Sequence, residues 1–465
     1  MNENSKGGFT GKIGFVLAAA GSAVGLGNLW RFPYLAAKDG GGIFLIVYIV
    51  LALTFGFALM LTEIAIGRKT RKSPIEAYGA INKRFSFLGI PAAVVPLILF
   101  PYYCVIGGWV CKYSFDYITG RGINTVADGY FTDFITSLWQ SGMWCAVFLG
   151  ASAVVVFLGV EKGIEKFSKL LMPVLSLMVV GIALYALTLS DPVSGRNAVE
   201  GLKIYIIPNF DGMSIRKFFG ILLDAMGQVF FSMSLAMGVM ITYGSYTKKE
   251  TNLVEAVSRI EIFDTVIAVF AGLIMIPAVY TFQGTDGLDT AGPSLLFISL
   301  PRVFAQMGNA GHVMGALFFL LVLFAALTSS VSIMEAVVSV IMDKFKLGRN
   351  RAVLYSLIFS SILAAATCFG YNVWYFEYTL PNGTKGQLLD IFDYLINSLL
   401  MPAVALLTCV MVGWFGKMKD MTEEIKANGE NFGREGLYTA MVRYIAPVFL
   451  TLILMSSFGI FNFII

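Results

Sequence analysis

The chain has 465 residues, of which 57% are hydrophobic and only 13% are charged. Ordinary soluble domains carry about 25% charged residues, and this sequence repeats apolar runs of about 20 residues, long enough to cross a hydrocarbon core. A soluble protein is therefore excluded, and we expect one transmembrane domain spanning residues 1–465. The formal net charge of +4 is interpreted as a sign of membrane topology and does not indicate binding to nucleic acid.

Eleven apolar segments follow one another and predict an all-α membrane protein with eleven transmembrane helices. Their approximate limits are 12–37, 42–67, 88–118, 142–159, 167–190, 218–246, 257–283, 311–343, 351–371, 388–416 and 437–462. Basic residues concentrate in the loops of one side, at 68–72, 248–249 and 344–351. Because cytoplasmic loops carry the excess of Lys and Arg, we predict a multi-pass protein of the cell (inner) membrane. Its N-terminus would be cytoplasmic and its C-terminus extracellular or periplasmic.

Several other kinds of protein are disfavoured by the residues that the chain lacks. The cysteines all fall within predicted spans and show no C-x-x-C spacing, which predicts neither a disulfide framework nor a metal site of the Cys/His type. His312, the only histidine, is interpreted as structural. No Ser/His or paired-Asp constellation is found, so we do not expect an enzyme. Residues 1–37 are not expected to be a cleavable signal peptide, because Asn28 and Arg31 interrupt the apolar run.

Two of the predicted spans contain residues that disfavour a continuous helix. Residues 21–28 of span one carry three glycines, and residues 232–238 of span six include four small or hydroxyl residues, Ser232, Ser234, Ala236 and Gly238. Glycine costs about 1 kcal/mol in a helix interior, and unpaired backbone at membrane depth is tolerated only where it lines a cavity or is buried in protein. The breaks occupy the same position in successive five-span units. They therefore predict a five-plus-five inverted repeat, with broken helices 1 and 6 around a binding site.

The predicted repeats cover residues 12–190 and 218–416, and residues 437–462 would form a peripheral helix 11. Polar side chains lie deep in the predicted spans, where an ionised group costs about 2.5–3.5 kcal/mol and a functional role is the default interpretation. They are Asn28, Arg31, Glu63, Gln228, Asp264, Thr328, Ser329 and Asp393. Hydroxyl, carboxylate, amide and carbonyl oxygens are hard ligands that suit a hard cation such as sodium.

Five motifs resemble the neurotransmitter:sodium symporter family in order along the chain. They are GSAVGLGNLWRFPY (21–34), GQVFFSMSLAMG (227–238), ITYGSY (241–246), FAALTSS (324–330) and RYIAP (443–447). The resemblance implies a transporter that couples a small amino acid to sodium entry. Members usually have twelve spans, and many bacterial ones have eleven.

The resemblance also implies two sodium sites. One would use the carbonyls of Gly21, Val24 and Ala325 with the hydroxyls of Thr328 and Ser329. The other would use the Ala23 carbonyl, Asn28, Ser232, Asp264 and the carboxylate of the substrate. Asp264 is assigned with a shift of one residue, because the family's amide position falls on or next to Phe263. Tyr48, Gln228 and Ser232 match three of the family's chloride-holding positions, and Asp264 would supply the negative charge instead of chloride.

The substrate residues implied by the resemblance surround the two breaks. They are Ser22, Ala23, Val24, Leu26, Gly27, Leu99, Tyr103, Phe231, Ser232, Ser234, Ala236, Met237, Ser329 and Ile333. Monoamine-carrying members have an aspartate where this chain has Gly25, so the substrate is expected to bring its own carboxylate. The apolar pocket favours large hydrophobic or aromatic L-amino acids.

Charge pairs are expected to act as gates at the two ends of the bundle. Arg31 with Asp393 would close the outer side, and Lys6 with Asp343, near Tyr246, would close the inner side. Glu63 would accept hydrogen bonds from the unwound backbone of span six. Two alternatives stay open: a sodium-coupled carrier of another small solute, such as a β- or γ-amino acid, and an amino-acid-gated channel or sensor on the same scaffold.

Overall fold

The computed structural model describes residues 8–288 and 292–461, and helices dominate these residues. The helices are α1 (Lys12–Ala23), α2 (Gly27–Lys38), α3 (Gly42–Thr70), α4 (Pro74–Ile81), α5 (Lys83–Ile118), α6 (Tyr130–Thr136), α7 (Leu138–Phe157), α8 (Val160–Ala186), α9 (Ala198–Ile206), α10 (Ile215–Ser232), α11 (Val239–Tyr246), α12 (Leu253–Leu288), α13 (Leu295–Gln306), α14 (Asn309–Phe345), α15 (Arg349–Phe369), α16 (Leu388–Trp414), α17 (Met418–Ile425) and α18 (Glu435–Ser457). A short antiparallel hairpin pairs β1 (Tyr378–Thr379) with β2 (Lys385–Gly386).

The predicted spans coincide with these helices. Within the described residues, nine helices are long and apolar enough to cross a membrane, and α1 with α2 forms a tenth span bent by 51°. The sixth predicted span consists of α10 and α11, which are separated by residues 233–238. The all-α membrane fold is confirmed. The count of eleven stays a prediction, because α10 and α11 are not one continuous helix.

The helices differ in how much of their surface lies inside the protein. The most apolar windows of α5 and α14 are 72% buried, whereas that of α18 is only 28% buried. Because lipid and protein interiors are similarly apolar, the exposed faces of such helices are consistent with lipid contact. Helices α5 and α14 therefore form the centre of the bundle, against which the broken helices pack.

The first break lies between α1 and α2. The backbone leaves the helix at Val24, whose ψ angle is 100°, and resumes a helical course at Leu26. Two glycines are required here by packing: a Cβ on Gly25 would lie 2.7 Å from the Ser329 hydroxyl, and one on Gly27 would lie 2.4 Å from the Phe231 ring. The glycine-rich sequence therefore allows close approach of α14 and α10 to the break.

Polar contacts hold a strained backbone in place at the second break, which lies between α10 and α11. Ser234 and Ala236 adopt φ angles of 53° and 56°, a region that costs a non-glycine residue about 1–3 kcal/mol. The Ala236 amide donates to Glu63 Oε1 at 2.7 Å, and the Ser234 hydroxyl donates to the Ser22 carbonyl at 2.9 Å. Glu63 thus supports the break as expected, and the Ser234 bond joins the two breaks directly.

Replacing Glu63 with leucine should lower the stability of the protein, because the buried Ala236 amide would lose its acceptor. Leaving a buried donor unpaired costs about 1–3 kcal/mol. Glu63→Gln keeps an acceptor oxygen and should be less damaging. Thermal denaturation in detergent, followed by fluorescence-detected size-exclusion chromatography, should show that the apparent melting temperature falls in the order native, Glu63→Gln, Glu63→Leu. Equal stability of native protein and Glu63→Leu would contradict the supporting role.

Candidate functional site

Three main-chain carbonyls of the first break converge on one hydroxyl of α14. Ser329 Oγ lies 3.3 Å from the Gly21 carbonyl, 3.0 Å from that of Ser22 and 3.2 Å from that of Val24. A single hydroxyl proton can serve only one of these oxygens at a time. The cluster therefore presents excess negative potential that a small hard cation can neutralise.

The remaining residues of this predicted ion site lie beside the same cluster. Thr328 Oγ1 is 3.0 Å from the Ala325 carbonyl, and a Cβ on Gly21 would lie 3.2 Å from the Thr328 Cβ. Thr328 and Ser329 of the FAALTSS motif thus lie next to the broken end of α1. The structure brings together the five residues that were predicted for this sodium site, which are Gly21, Val24, Ala325, Thr328 and Ser329.

Asp264 is the centre of a second polar cluster, formed by α12, α2, α3 and α10. Its carboxylate is fully buried and accepts a bond from Asn28 Nδ2 at 2.7 Å. The hydroxyls of Tyr48 and Ser232 each donate to Asp264 Oδ2 at 3.2 Å. Within the described residues, no cationic side chain forms an ion pair with Asp264. These contacts favour Asp264 over Phe263, which is only partly buried, at the position that the sequence left ambiguous by one residue.

Gln228 extends the second cluster towards the first break. Its side-chain amide donates to the Gly27 carbonyl at 3.1 Å, while its Oε1 atom is buried without a hydrogen-bond partner among the described residues. Tyr48 and Ser232 thus contact Asp264 directly, whereas Gln228 contacts the first break at Gly27. The cluster already contains one carboxyl group, that of Asp264.

A small cavity of about 20 Å³ lies between the two breaks. It is lined by Ser22, Ala23, Gly25, Leu26, Gly27, Asn28, Leu99, Tyr103, Phe231, Ser232, Ser234, Met237, Ser329 and Ile333. Every predicted substrate residue except Val24 and Ala236 contributes to this lining. Both exceptions are buried, and the Ala236 amide donates to Glu63.

Tyr103 contributes a polar group to the cavity wall. Its hydroxyl lies near the Leu26 amide and the Ser329 hydroxyl, but no hydrogen bond of good geometry engages it within the described residues. The first amides of α2 lack intrahelical partners, as at any helix start, and carry the positive end of the helix dipole. Together these groups can bind a carboxylate.

A larger cavity of about 490 Å³ opens above this site and is lined by both predicted outer gate residues. Phe231 and Tyr103 border both cavities. The Arg31 guanidinium carbon lies 5.8 Å from the centre of the Phe231 ring, while Asp393 accepts bonds from Tyr102 and Asn397. Among the described residues no ion pair within 4 Å joins Arg31 to Asp393, so the two predicted gate residues do not close this cavity in the present conformation.

The opposite end of the bundle is closed by Phe9 and α11. The Phe9 amide donates to the Tyr246 carbonyl at 3.3 Å, and its ring packs edge-on against Tyr243 at 5.4 Å. Asp343 accepts a bond from the Ser73 amide at 2.7 Å. Its predicted partner Lys6 lies outside the described residues. The cavity at the Arg31 end is therefore open, whereas the Phe9 end is packed.

One buried ion pair at the Phe9 end, between Glu335 and Arg349, is not among the residues predicted from the sequence. Glu335, fully buried in α14, pairs with Arg349 at 2.5 Å and accepts a bond from the Tyr246 hydroxyl at 2.7 Å. Arg349 also donates to the Val156 carbonyl. A glutamate deep in the apolar segment SIMEAVV was the available signal, since the same rule of charge at depth identified Glu63 and Asp264.

Comparison with known proteins identifies the family. A family model described as the sodium:neurotransmitter symporter family matches residues 6–125 and 130–463. The chain belongs to this family. An uncharacterised sodium-dependent transporter of Bacillus subtilis (YhdH) is 31% identical over the full length of both chains. The sodium- and chloride-dependent taurine transporter of Rattus norvegicus is 27% identical over 87% of this chain and 70% of its own length.

A solved structure of the symporter family agrees in fold. The crystal structure of MhsT in complex with L-phenylalanine matches with a TM-score of 0.85 and 31% identity, covering 98% of this chain and 100% of that chain. This protein is therefore a sodium-dependent symporter of the membrane, and its family is not an enzyme family.

Gly25→Ala should weaken sodium-dependent transport, because the added Cβ would lie 2.7 Å from Ser329 Oγ and displace the hydroxyl from the three carbonyls. Overpacking of this kind costs about 1–3 kcal/mol, so the half-saturating sodium concentration should rise about tenfold. Gly181→Ala is the matched control, since nothing lies within 4 Å of its added Cβ. An unchanged sodium dependence in Gly25→Ala would argue against an ion site at Ser329.

Proposed function

We propose that this protein imports hydrophobic or aromatic L-amino acids together with two sodium ions, by alternating access and without a requirement for chloride. The observation that carries the proposal is the small cavity between the two breaks. It combines free helix amides and the Tyr103 hydroxyl on one side with an apolar wall on the other. An amino acid matches this division, since its carboxylate and its side chain point in different directions.

The polar part of the cavity favours a substrate with its own carboxylate. The amides of Leu26 and Gly27, at the start of α2, would bind that carboxylate together with the Tyr103 hydroxyl. Gly25 leaves no side-chain anion that would pair with a simple amine. The carbonyl of Ser22 and the hydroxyl of Ser234 would take the ammonium group.

The apolar part favours a hydrophobic side chain. Leu99, Phe231, Met237 and Ile333 line it, and the present volume of about 20 Å³ holds little more than one water-sized probe. A large substrate therefore requires side chains to move, and Met237 is suited to this because methionine is unbranched and adaptable. The L-phenylalanine bound by the structurally similar MhsT supports the same substrate class.

Coupling would follow from two ions that bind next to the substrate. One would lie among the carbonyls around Ser329 and Thr328, and the other between Asp264, Asn28 and the substrate carboxylate. A ligand shared by ion and substrate makes each raise the affinity of the other. The packed Phe9 end would face the cytoplasm and the open cavity the outside, in agreement with the positions of the basic loops.

Uptake by the purified protein in proteoliposomes tests the proposal. An inward sodium gradient should drive accumulation of labelled phenylalanine or leucine above the external concentration, which a channel cannot do. The other natural amino acids, taurine and γ-aminobutyrate serve as competitors. A preference for taurine or γ-aminobutyrate would instead favour the alternative carrier function, and failure to concentrate any solute would favour a channel or sensor.

Chloride independence rests on Asp264, whose buried carboxylate supplies the charge that chloride would otherwise bring. Two anions at this position would repel each other strongly in a low-dielectric environment. Transport by the native protein should therefore persist when gluconate replaces chloride. Asp264→Asn should lose most activity in gluconate and regain part of it with added chloride. Collapse of native transport in gluconate, or full activity of the variant there, would contradict the charge-substitution argument.

A further inference from the structure

A row of aromatic side chains crosses three chain segments at the Phe9 end of the bundle. Its first part joins the start of α5 to the end of α16. The Phe85 ring lies 4.9 Å from that of Phe415, nearly edge-on, and 6.0 Å from that of Phe87, in a stacked orientation. Phe85 is buried and holds the segments together, whereas Phe87 and Phe415 are exposed on the surface of the protein.

The second part of the row joins the end of α16 to the start of α18. Trp414 Nε1 donates to the Arg443 carbonyl at 2.8 Å, which fixes the indole ring. The ring of Tyr444 lies 6.1 Å from that of Trp414, and the Arg443 guanidinium lies 6.0 Å from the centre of the Tyr444 ring. Trp414 is 62% exposed and Tyr444 is 56% exposed, so both rings offer a face to the surroundings.

Three cations accompany this aromatic row (Phe87, Phe85, Phe415, Trp414 and Tyr444). Lys83 and Arg84 directly precede Phe85, and Arg443 directly precedes Tyr444. All three are exposed, and within the described residues none has a carboxylate within 4 Å. The Arg84 amide is fixed by a bond to Asn82 Oδ1 at 3.1 Å. Nearby cations behave differently: Arg68, for example, is buried and paired with Glu424.

We propose that the aromatic row and its three cations form a binding site for an anionic phospholipid, with the phosphate of the headgroup as the recognised group. Tyrosine and tryptophan rings favour the membrane–water interface, and cations next to that interface attract anionic lipids. The planar guanidinium of Arg443 can donate two parallel bonds to a phosphate. The exposed ring faces would then contact the glycerol region and the upper acyl chains.

The cations of this site have fixed aromatic neighbours, which a charge that only sets the membrane topology does not require. A charge that only orients a helix needs to lie on the correct side of the membrane and needs no fixed neighbours. Here a side-chain hydrogen bond fixes Trp414 next to Arg443, and a ring contact fixes Lys83 and Arg84 close to Phe415. Cations from two separate segments thus lie next to one row of aromatic rings, and the proposal places this row where headgroups meet acyl chains.

Quenching of tryptophan fluorescence by brominated lipids tests the site. The full chain is reconstituted in phosphatidylcholine containing a small, equal fraction of either brominated phosphatidylglycerol or brominated phosphatidylcholine. The signal of Trp414 is obtained as the difference between the native protein and Trp414→Phe. Because a cation near the membrane surface attracts an anionic lipid about fivefold at low salt, quenching should indicate at least about a fivefold preference for phosphatidylglycerol.

The triple variant Lys83→Gln, Arg84→Gln, Arg443→Gln should lose this preference and show the same quenching with both lipids. Its quenching by brominated phosphatidylcholine should equal that of the native protein, which shows that Trp414 still lies at the membrane. Equal quenching of the native protein by the two brominated lipids would overturn the proposal.

A charge-matched control removes three other cations of the same end, Lys162, Arg351 and Lys419. These are exposed and lie outside the aromatic row. The triple glutamine variant at these positions should keep the preference for phosphatidylglycerol. If it loses the preference as completely as the first variant, the attraction comes from net charge alone and the site does not exist.

Discussion

The bond from the Ser234 hydroxyl to the Ser22 carbonyl joins two interrupted helices, and the binding site depends on that junction. Interrupting a helix inside a membrane exposes amides and carbonyls that water cannot reach. At the junction these groups are either satisfied by protein, as Glu63 satisfies the Ala236 amide, or directed into the cavity. The groups directed into the cavity are the ones that can bind ions and substrate. The breaks therefore produce the site, and Glu63 of α3 stabilises the second break by accepting a bond from its backbone.

The glycines of the first break follow from the same constraint. Gly25 and Gly27 allow Ser329 and the Phe231 ring to approach distances that any Cβ would block. A larger residue at either position would move α14 or the Phe231 ring away from the unwound segment between α1 and α2. The polar contacts across the cavity would then be lost. The close approach explains why oxygens from α1 and α14 can act as one cluster, although 300 residues of sequence separate them.

The limits of the spans and the positions of the two breaks could be predicted from the sequence, because both depend on local amino-acid composition. Span limits follow from hydropathy, and the breaks follow from runs of glycine and hydroxyl residues, so both agree with the helices observed. The orientation of individual backbone groups and the contacts between separate helices were harder to predict. Ala236 was assigned to the cavity by its position in a motif, but a left-handed backbone turns its amide to Glu63. Arg349 was missed because its partner Glu335 lies on another helix, and only the fold shows that they meet.

The two ends of the bundle are held by contacts of different strength, and this asymmetry bears on the conformational change expected of a symporter. At the cavity end, Asp393 is held by the neutral groups of Tyr102 and Asn397. At the Phe9 end, Glu335 is fully buried and paired with Arg349. Separating such a pair leaves a desolvated charge and is costly unless water enters at the same time. We therefore expect opening of the Phe9 end to require hydration of Glu335, whereas the neutral groups around Asp393 present no such cost to movement at the cavity end.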